Sequence, residues 1–431
     1  MDLFVNRERE LAELDRAAAH GGLLVVFGRR RVGKTRLLRQ WLQQHDGAYT
    51  QAIEAPVDLQ LEQVLQDIRP HVTTDIVPKS WAELLELLAL QKKPWTLCLD
   101  EFPYLTAVDP SLPSRLQRFL DHELPKGCLL MLAGSSTGMM HDLFLHRTAP
   151  LYGRARHLLH VAPMDYVAFC RAGRLDPEDS ESFERFAMVG GIPKYWEFVD
   201  AKADAVALAE SLFFGFSAYM QQEPHQLLRD EGVVGFNALA VLEAVGRGAE
   251  RPSEIASRLN TKQTNLSRLF QQLLDASMLT RELPYGESVR STKRVLYRIA
   301  DPSTRFWFRV YSPHQSRWLT YAAKERRALL HAHAASVFED ICRAQVPGAQ
   351  RYWEGSAEFD LVGVDPLDDK GLLVAEIKWR RVTPAERRRL IETLTARWAQ
   401  TSIAARYPRV RFDVIDNSVL QDLGRRARAR R

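Results

Sequence analysis

The chain has 431 residues, 46% hydrophobic and 26% charged, with a formal net charge of +5. That length exceeds one ordinary core and predicts about three domains of a soluble globular protein. No run approaches the roughly 20 uninterrupted apolar residues that cross a bilayer, Met1 to Glu8 lacks a basic stretch leading into an apolar one, and Cys98, Cys128, Cys170 and Cys342 lie too far apart for a C-x-x-C metal site or a disulfide framework. A cytoplasmic protein without a membrane partner is expected.

Phe4 to Leu11, continued by Leu14 and Ala18, predicts an amphipathic helix that stops at Gly21-Gly22. Leu23 to Phe27 is an apolar strand, and it leads into Gly28-Arg29-Arg30-Arg31-Val32-Gly33-Lys34-Thr35-Arg36. Leu37, Leu38, Trp41 and Leu42 follow at helical spacing. A G-x-x-x-x-G-K-T run between strand and helix is a phosphate-binding loop: the glycines allow the tight turn, and successive backbone N–H groups meet phosphates at the positive end of the helix. Lys34 is then expected on the β/γ-phosphates and Thr35 on Mg²⁺, with ATP as the nucleotide.

Further on, Ala48 to Ile53 reads as a strand and Leu59 to Ile68 and Trp81 to Leu90 as helices, the alternation of a parallel sheet. Trp95-Thr-Leu-Cys-Leu-Asp100-Glu101 is an apolar strand ending in two carboxylates at the edge where the phosphate loop lies. Asp100 can hold Mg²⁺ through water, and Glu101 can orient and deprotonate the attacking water. Cys128 to Ser136 is another buried strand; Ser135 is placed to sense a γ-phosphate, although Ser135 or Ser136 can equally cap the next helix. Arg154, in Leu-Tyr-Gly-Arg-Ala-Arg156, is either a cation that neutralises charge in phosphoryl transfer or a surface arginine.

These motifs, with Phe4-Val-Asn-Arg-Glu-Arg-Glu-Leu11 and Gly190-Gly-Ile-Pro-Lys-Tyr195, resemble the archaeal-type, AAA-related P-loop ATPases, or DEXX-box ATPases. The resemblance covers nearly the whole chain. It implies an α/β fold: a parallel-sheet ATPase core (1–160), a helical lid (161–228), a winged helix (229–302) and a restriction-endonuclease-like α/β domain (303–431).

The residues after the core agree with that plan. Phe236 to Val245, Pro252 to Leu259 and Gln263 to Leu274 read as three short helices, and Met278 to Pro284 and Arg294 to Ile299 as a β wing. On the third helix Leu266, Leu269, Phe270, Leu273 and Leu274 face inward. Lys262, Thr264, Asn265, Ser267 and Arg268 face out, where they suit phosphate and base contacts; such modules also dock proteins. Asp301 to Arg309 reads as an aromatic helix start used in packing.

In Leu372-Leu-Val-Ala-Glu376-Ile-Lys378-Trp, strand alternation puts Glu376 and Lys378 on one face, and Asp360 on a neighbouring strand can join them. Alone this is as well read as a cross-strand salt bridge. Beside the resemblance it looks like the D…(E)-x-K signature of PD-(D/E)xK nucleases, with Asp360 and Glu376 as Mg²⁺ ligands, Lys378 as the third catalytic residue and Glu339 as a further ligand. From Arg380 to Arg431 there are 14 Lys/Arg against 5 Asp/Glu, leaving about −4 elsewhere; that end suits a phosphate backbone or is a solvated face and tail. The expectation is a Mg²⁺-dependent ATPase coupled to DNA binding and cleavage, with self-association left open. The alternative is an ATP-gated DNA- or protein-binding switch whose nuclease-like domain is inactive.

Overall fold

Five strands alternating with helices make the first sheet: β1 (Gly22–Phe27), β2 (Ala48–Gln51), β3 (Thr96–Asp100), β4 (Leu129–Gly134) and β5 (Ala155–His160). They are all parallel, in the order β2-β3-β4-β1-β5. The computed structural model describes residues 4–72, 76–233, 235–290 and 292–429. The apolar runs explain the layering, because a parallel sheet is covered on both faces and its central strands are buried along their length. β4 is buried throughout. One face packs on Leu61, Leu84, Leu88 and Phe102, and the other on Leu14, Leu37 and Trp41.

This second cluster does not end with the sheet. It continues through Phe183, Phe213, Leu242 and Phe308 to Phe338 and Leu423, so the units expected from sequence as separate domains share one buried core. The aromatic segment after Asp301 joins them, with the Phe306 and Phe213 rings 4.5 Å apart and Phe306 and Phe308 fully buried.

Helices Phe236–Gly246, Pro252–Arg258 and Gln263–Asp275 precede an antiparallel ribbon, β6 (Leu279–Glu282) with β7 (Leu296–Ile299). Leu266, Phe270 and Leu273 are buried, while Lys262, Thr264, Asn265, Ser267 and Arg268 are exposed. The loop after β6 is docked on the next unit: Tyr285 N–H donates to Arg351 O (2.9 Å) and Arg294 Nη1 to Trp353 O (2.8 Å).

That unit is a mixed sheet, β11-β10-β9-β8, of β8 (Gln350–Glu354), β9 (Ala357–Asp365), β10 (Asp368–Lys378) and β11 (Val410–Asp416). β8, β9 and β10 are antiparallel, and β11 runs parallel to β10. The β9–β10 turn is tight because Asp365 Oδ1 accepts the Leu367 N–H (3.0 Å), an Asx-type turn. Helix Pro384–Ala399 covers the sheet through Leu394 and Trp398. The helix Val419–Ala429 carries the arginine-rich end, of which Arg430 and Arg431 lie outside the described residues. Among the described residues no helix is long and apolar enough to cross a membrane.

Candidate functional site

The phosphate loop starts at the carboxyl end of β1. Gly28 has φ 152°, and a Cβ there would meet Val161 O at 2.3 Å, so only glycine fits between the loop and the chain leaving β5. Gly33 has φ 98°, the left-handed conformation glycine adopts without penalty. Arg7, from the N-terminal motif, is buried and donates to Val32 O (2.9 Å) and Ala162 O (3.1 Å), bracing the loop from beneath.

Lys34 and Thr35 open the helix Lys34–Leu42. Lys34 Nζ donates to Gly28 O (2.8 Å) and Arg29 O (3.2 Å). Burial lowers its pKa, against the raising fields of Glu101, Asp100 and Glu231. Thr35 Oγ1 donates to Asp100 Oδ2 at 2.6 Å, and the Tyr49 hydroxyl donates to the same oxygen at 2.8 Å. Asp100 is fully buried at the end of β3.

Glu101 follows in the left-handed region, φ 54°, and its Oε2 accepts from Ser135 Oγ (2.7 Å) and Ser135 N–H (3.2 Å). A non-glycine residue held there is strained, and such strain gathers at functional sites. Ser136 caps helix Thr137–Phe144 by accepting Met139 N–H (3.3 Å). Capping thus falls to Ser136, and Ser135 holds Glu101. Phe4, Val5, Lys34, Thr35, Glu101 and Ser135 all line one cleft of about 630 Å³ that reaches Pro193 and Lys194 of the Gly-Gly-Ile-Pro-Lys-Tyr motif.

The loop arginines belong to the stretch expected to meet phosphates through its backbone, and the side chains of Arg29, Arg30 and Arg31 are each held by a carboxylate from far along the chain. Arg29 is buried, 3.2 Å from Asp301 Oδ1, and donates to Thr304 Oγ1 (3.0 Å). Arg30 pairs with Asp230 at 2.5 Å. Arg31, at φ 67°, pairs with Glu223, which also accepts from the Tyr195 hydroxyl (2.6 Å). Val32 is fully buried, and Arg36 lines the cleft. Glu231 accepts from Ser136 Oγ (3.2 Å) and Gly138 N–H (3.4 Å), and burial pushes its pKa up to about 7. The sequence reading missed these carboxylates. Its available signal was three adjacent arginines in a loop that binds phosphate through its backbone, leaving their side chains free for other partners.

Arg154 is not brought to the cleft. It precedes β5, whose Ala155 lies beside Leu23 near the start of β1, so the strand length of roughly 15–20 Å separates it from the loop. There it pairs with Asp121 (2.8 Å) and Pro150 O (2.8 Å). The physical reason is polarity: in a parallel sheet, a residue before a strand sits at the edge opposite the one that carries the phosphate loop.

The second candidate site lies on β9 and β10. Ala375 faces Leu361 in the ladder, which brings Glu376 beside Asp360, and Asp360 Oδ2 accepts Ile377 N–H (2.8 Å). Burial and then the Glu376 charge raise the Asp360 pKa. Glu376 is already held by two cations, Lys378 Nζ at 2.8 Å on Oε1 and Arg397 at 2.9 Å on Oε2. Burial would raise Glu376, but these partners outweigh it and hold its pKa below the usual range. Glu339 is raised to about 7 by burial and then by Asp360. Among the described residues, no group of three or more His, Cys, Asp or Glu is arranged to hold a metal ion.

Several of the C-terminal arginines are held in ion pairs, one of them with a carboxylate outside that stretch. Arg387 pairs with Asp413 (2.6 Å), Arg411 with Asp365 (2.7 Å), Arg425 with Asp422 (2.7 Å), and Arg380 with Glu386.

Residues 4–199 match an ATPase domain found predominantly in Archaea, and residues 307–390 match a family of archaeal and bacterial proteins of unknown function. An uncharacterised protein of Methanocaldococcus jannaschii is 26% identical over 406 residues, 88% of each chain. A Walker-type ATPase of Pyrococcus abyssi superposes with a TM-score of 0.54 at 20% identity, over 71% of this chain and 96% of that one, and shares the fold. The ORC2 protein of Aeropyrum pernix aligns at 12% identity with a TM-score of 0.44, over 78% of this chain and 96% of that one. The chain therefore carries a P-loop ATPase domain, followed by a C-terminal domain with a mixed sheet.

Proposed function

We propose that this protein hydrolyses ATP with Mg²⁺ and uses its nucleotide state to position a DNA-binding unit, the three helices and ribbon read as a winged helix. The observation that carries the coupling is the set of three ion pairs, Arg29–Asp301, Arg30–Asp230 and Arg31–Glu223, which fasten the phosphate loop to the segments on either side of that unit. Any shift of the loop around phosphates is passed to those carboxylates.

Within the cleft, backbone N–H groups and Lys34 would bind the phosphates. Ser135 fixes the Glu101 carboxylate, which orients the attacking water and takes its proton. A hydroxyl and a buried carboxylate 2.6 Å apart are the oxygen donors a hard cation takes, so Thr35 and Asp100 fit Mg²⁺. That ion supplies neutralisation of phosphate charge. Arg154, at the opposite sheet edge and paired with Asp121, would reach only a nucleotide bound to another copy, so a catalytic role for it requires a homo-oligomer.

DNA as partner is supported by the exposed face Lys262, Thr264, Asn265, Ser267 and Arg268. Its test is duplex affinity of the full chain with ADP and with a non-hydrolysable ATP analogue, beside the ATPase rate with and without duplex. Affinity that differs between the two nucleotides is expected. Equal affinity and an unstimulated rate would remove the coupling.

The second reading, DNA cleavage by Asp360, Glu376 and Lys378, is favoured by the cross-strand approach of the two carboxylates. Against it stands the double cation clamp on Glu376, which suits the alternative of an ATP-gated switch. Plasmid cutting that needs a divalent ion and is lost in Asp360→Asn supports cleavage; binding without cutting supports the switch.

A further inference from the structure

A cavity of about 420 Å³ opens between the end of helix Phe236–Gly246, the end of β7 and the aromatic segment after Asp301. Four guanidinium groups line it, Arg247, Arg298, Arg305 and Arg309, with Glu250 as the lone carboxylate on its wall.

Three of the four arginines have acidic partners: Arg247 has Glu243 (2.6 Å), Arg298 has Asp340 (2.9 Å) and Glu282 (3.1 Å), and Arg305 has Asp340 (2.7 Å). Arg298 and Arg305 are buried, so this part of the wall is fixed. Arg309 is exposed and has no hydrogen bond or ion pair among the described residues. Its pKa is lowered, first by desolvation from its surroundings and then by the charges of Arg305 and Arg298. Glu339 and Glu250 act on Arg309 through space but neither pairs with it, and an anion in the cavity would give it a direct partner. The carboxylate on the wall is shared, since Glu250 lies 3.4 Å from Arg351 through one oxygen and 3.9 Å from Arg298 through the other.

The adjoining helix end does not oppose an anion strongly. Two carbonyls at that end, Ala244 O and Arg247 O, accept from Arg258 at 3.3 and 3.1 Å, which offsets the negative end of the helix dipole.

We propose that this cavity is a phosphate-binding site in which Arg309 supplies the free guanidinium fork and Arg298 and Arg305 the fixed field behind it. A guanidinium presents paired N–H donors that match two oxygens of a phosphate, and the cavity has room for the group and the sugar that carries it. The phosphate comes either from a nucleic-acid backbone or from a free phosphate ester. Only the first source rests on the DNA reading above.

The test compares the full chain with Arg309→Ala and Arg309→Lys. Binding of a 20-base-pair duplex is followed across a salt series, and binding of pyrophosphate is measured calorimetrically in a separate arm. Arg309 is outside the nucleotide cleft, so the ATPase rate and the thermal midpoint control for folding. For a backbone source, Arg309→Ala weakens the duplex roughly 3- to 10-fold, lowers the salt slope by about one, and is partly rescued by lysine. For a free ester, pyrophosphate affinity falls and duplex affinity does not. If wild type binds no duplex, the DNA reading fails while the pyrophosphate arm still decides this one. Unchanged affinity for both probes in Arg309→Ala overturns the proposal.

Discussion

Arg29 in the phosphate loop and Asp301 at the start of the aromatic segment form a buried ion pair, 3.2 Å apart, with 6% and 5% of their side-chain surfaces exposed. Asp301 also accepts from Ser303 Oγ (2.5 Å), Thr304 N–H (2.8 Å) and Thr304 Oγ1 (2.9 Å), so its charge is compensated at several points. Burial alone would raise its pKa, but Arg29 and these hydrogen bonds outweigh burial and hold it below the usual carboxylate range. A group depressed in this way stabilises the fold above its unfolded pKa and loses that contribution as pH falls through the folded value.

Asp301→Asn is therefore expected to destabilise the protein at neutral pH by ~3–5 kcal/mol, because it leaves Arg29 buried and uncompensated. Urea unfolding at pH 7 measures the loss, and a repeat at decreasing acid pH should show the gap to wild type closing. A neutral-pH midpoint equal to wild type would mean that the pair is dispensable.

Lys34→Ala should abolish nucleotide binding, since it removes the ammonium placed at the head of the loop. Glu101→Gln should keep binding and lower turnover by ~10²-fold or more, the scale of a positioned acid or base. Fluorescent-nucleotide titration separates the two. A Glu101→Gln protein that turns over at the wild-type rate would transfer the role of base to another carboxylate.

Glu231 is the opposite case to Asp301. Burial raises its pKa to about 7 against the hydrogen bonds from Gly138 and Ser136. Its folded pKa exceeds the unfolded value, so its contribution is present in acid and is lost as pH rises toward and through about 7. Glu231→Gln should flatten the fall in stability between pH 5 and pH 7.5. The slope should shrink without vanishing, because Glu339 is raised to a similar value. Denaturation midpoints at the two pH values, wild type against variant, measure the difference; an unchanged slope would put Glu231 in contact with water.

The parts that were legible share a property: each is set by neighbours in sequence. The glycines and Lys34-Thr35 shape one loop, Asp100-Glu101 ends one apolar strand, and the alternation of Glu376 and Lys378 needs only strand geometry. The ties of Arg29 to Thr304 and Arg31 to Glu223 span 275 and 192 residues, and no local periodicity encodes them. The count of charges at the C-terminal end does not show its ties to the rest of the sheet: Arg411 pairs with Asp365 of β9, outside the counted stretch. The two readings of Arg154 stayed open because its motif says nothing about which edge of the sheet it occupies.

Arg397 decides between the two readings of the C-terminal sheet. It comes from helix Pro384–Ala399 and takes Glu376 Oε2 at 2.9 Å, while Lys378 takes Oε1 at 2.8 Å. A divalent ion held by Asp360 and Glu376 would compete with both cations for the Glu376 oxygens. Lysine is a single flexible cation and can move away when metal takes over its carboxylate, whereas the planar arginine fork is preorganised and loses less entropy on pairing. Removing the arginine should therefore favour metal more than removing the lysine. In an Asp100→Asn background, which suppresses the metal site of the ATPase cleft, Arg397→Ala is expected to bind Mn²⁺ at least ~10-fold more tightly, about 1.4 kcal/mol. Adding Asp360→Asn should cancel that gain. Calorimetric titration of the nucleotide-free proteins measures both. If Arg397→Ala binds Mn²⁺ no better than its parent, Glu376 is the anchor of a structural ion-pair cluster, and the ATP-gated switch is the reading that survives.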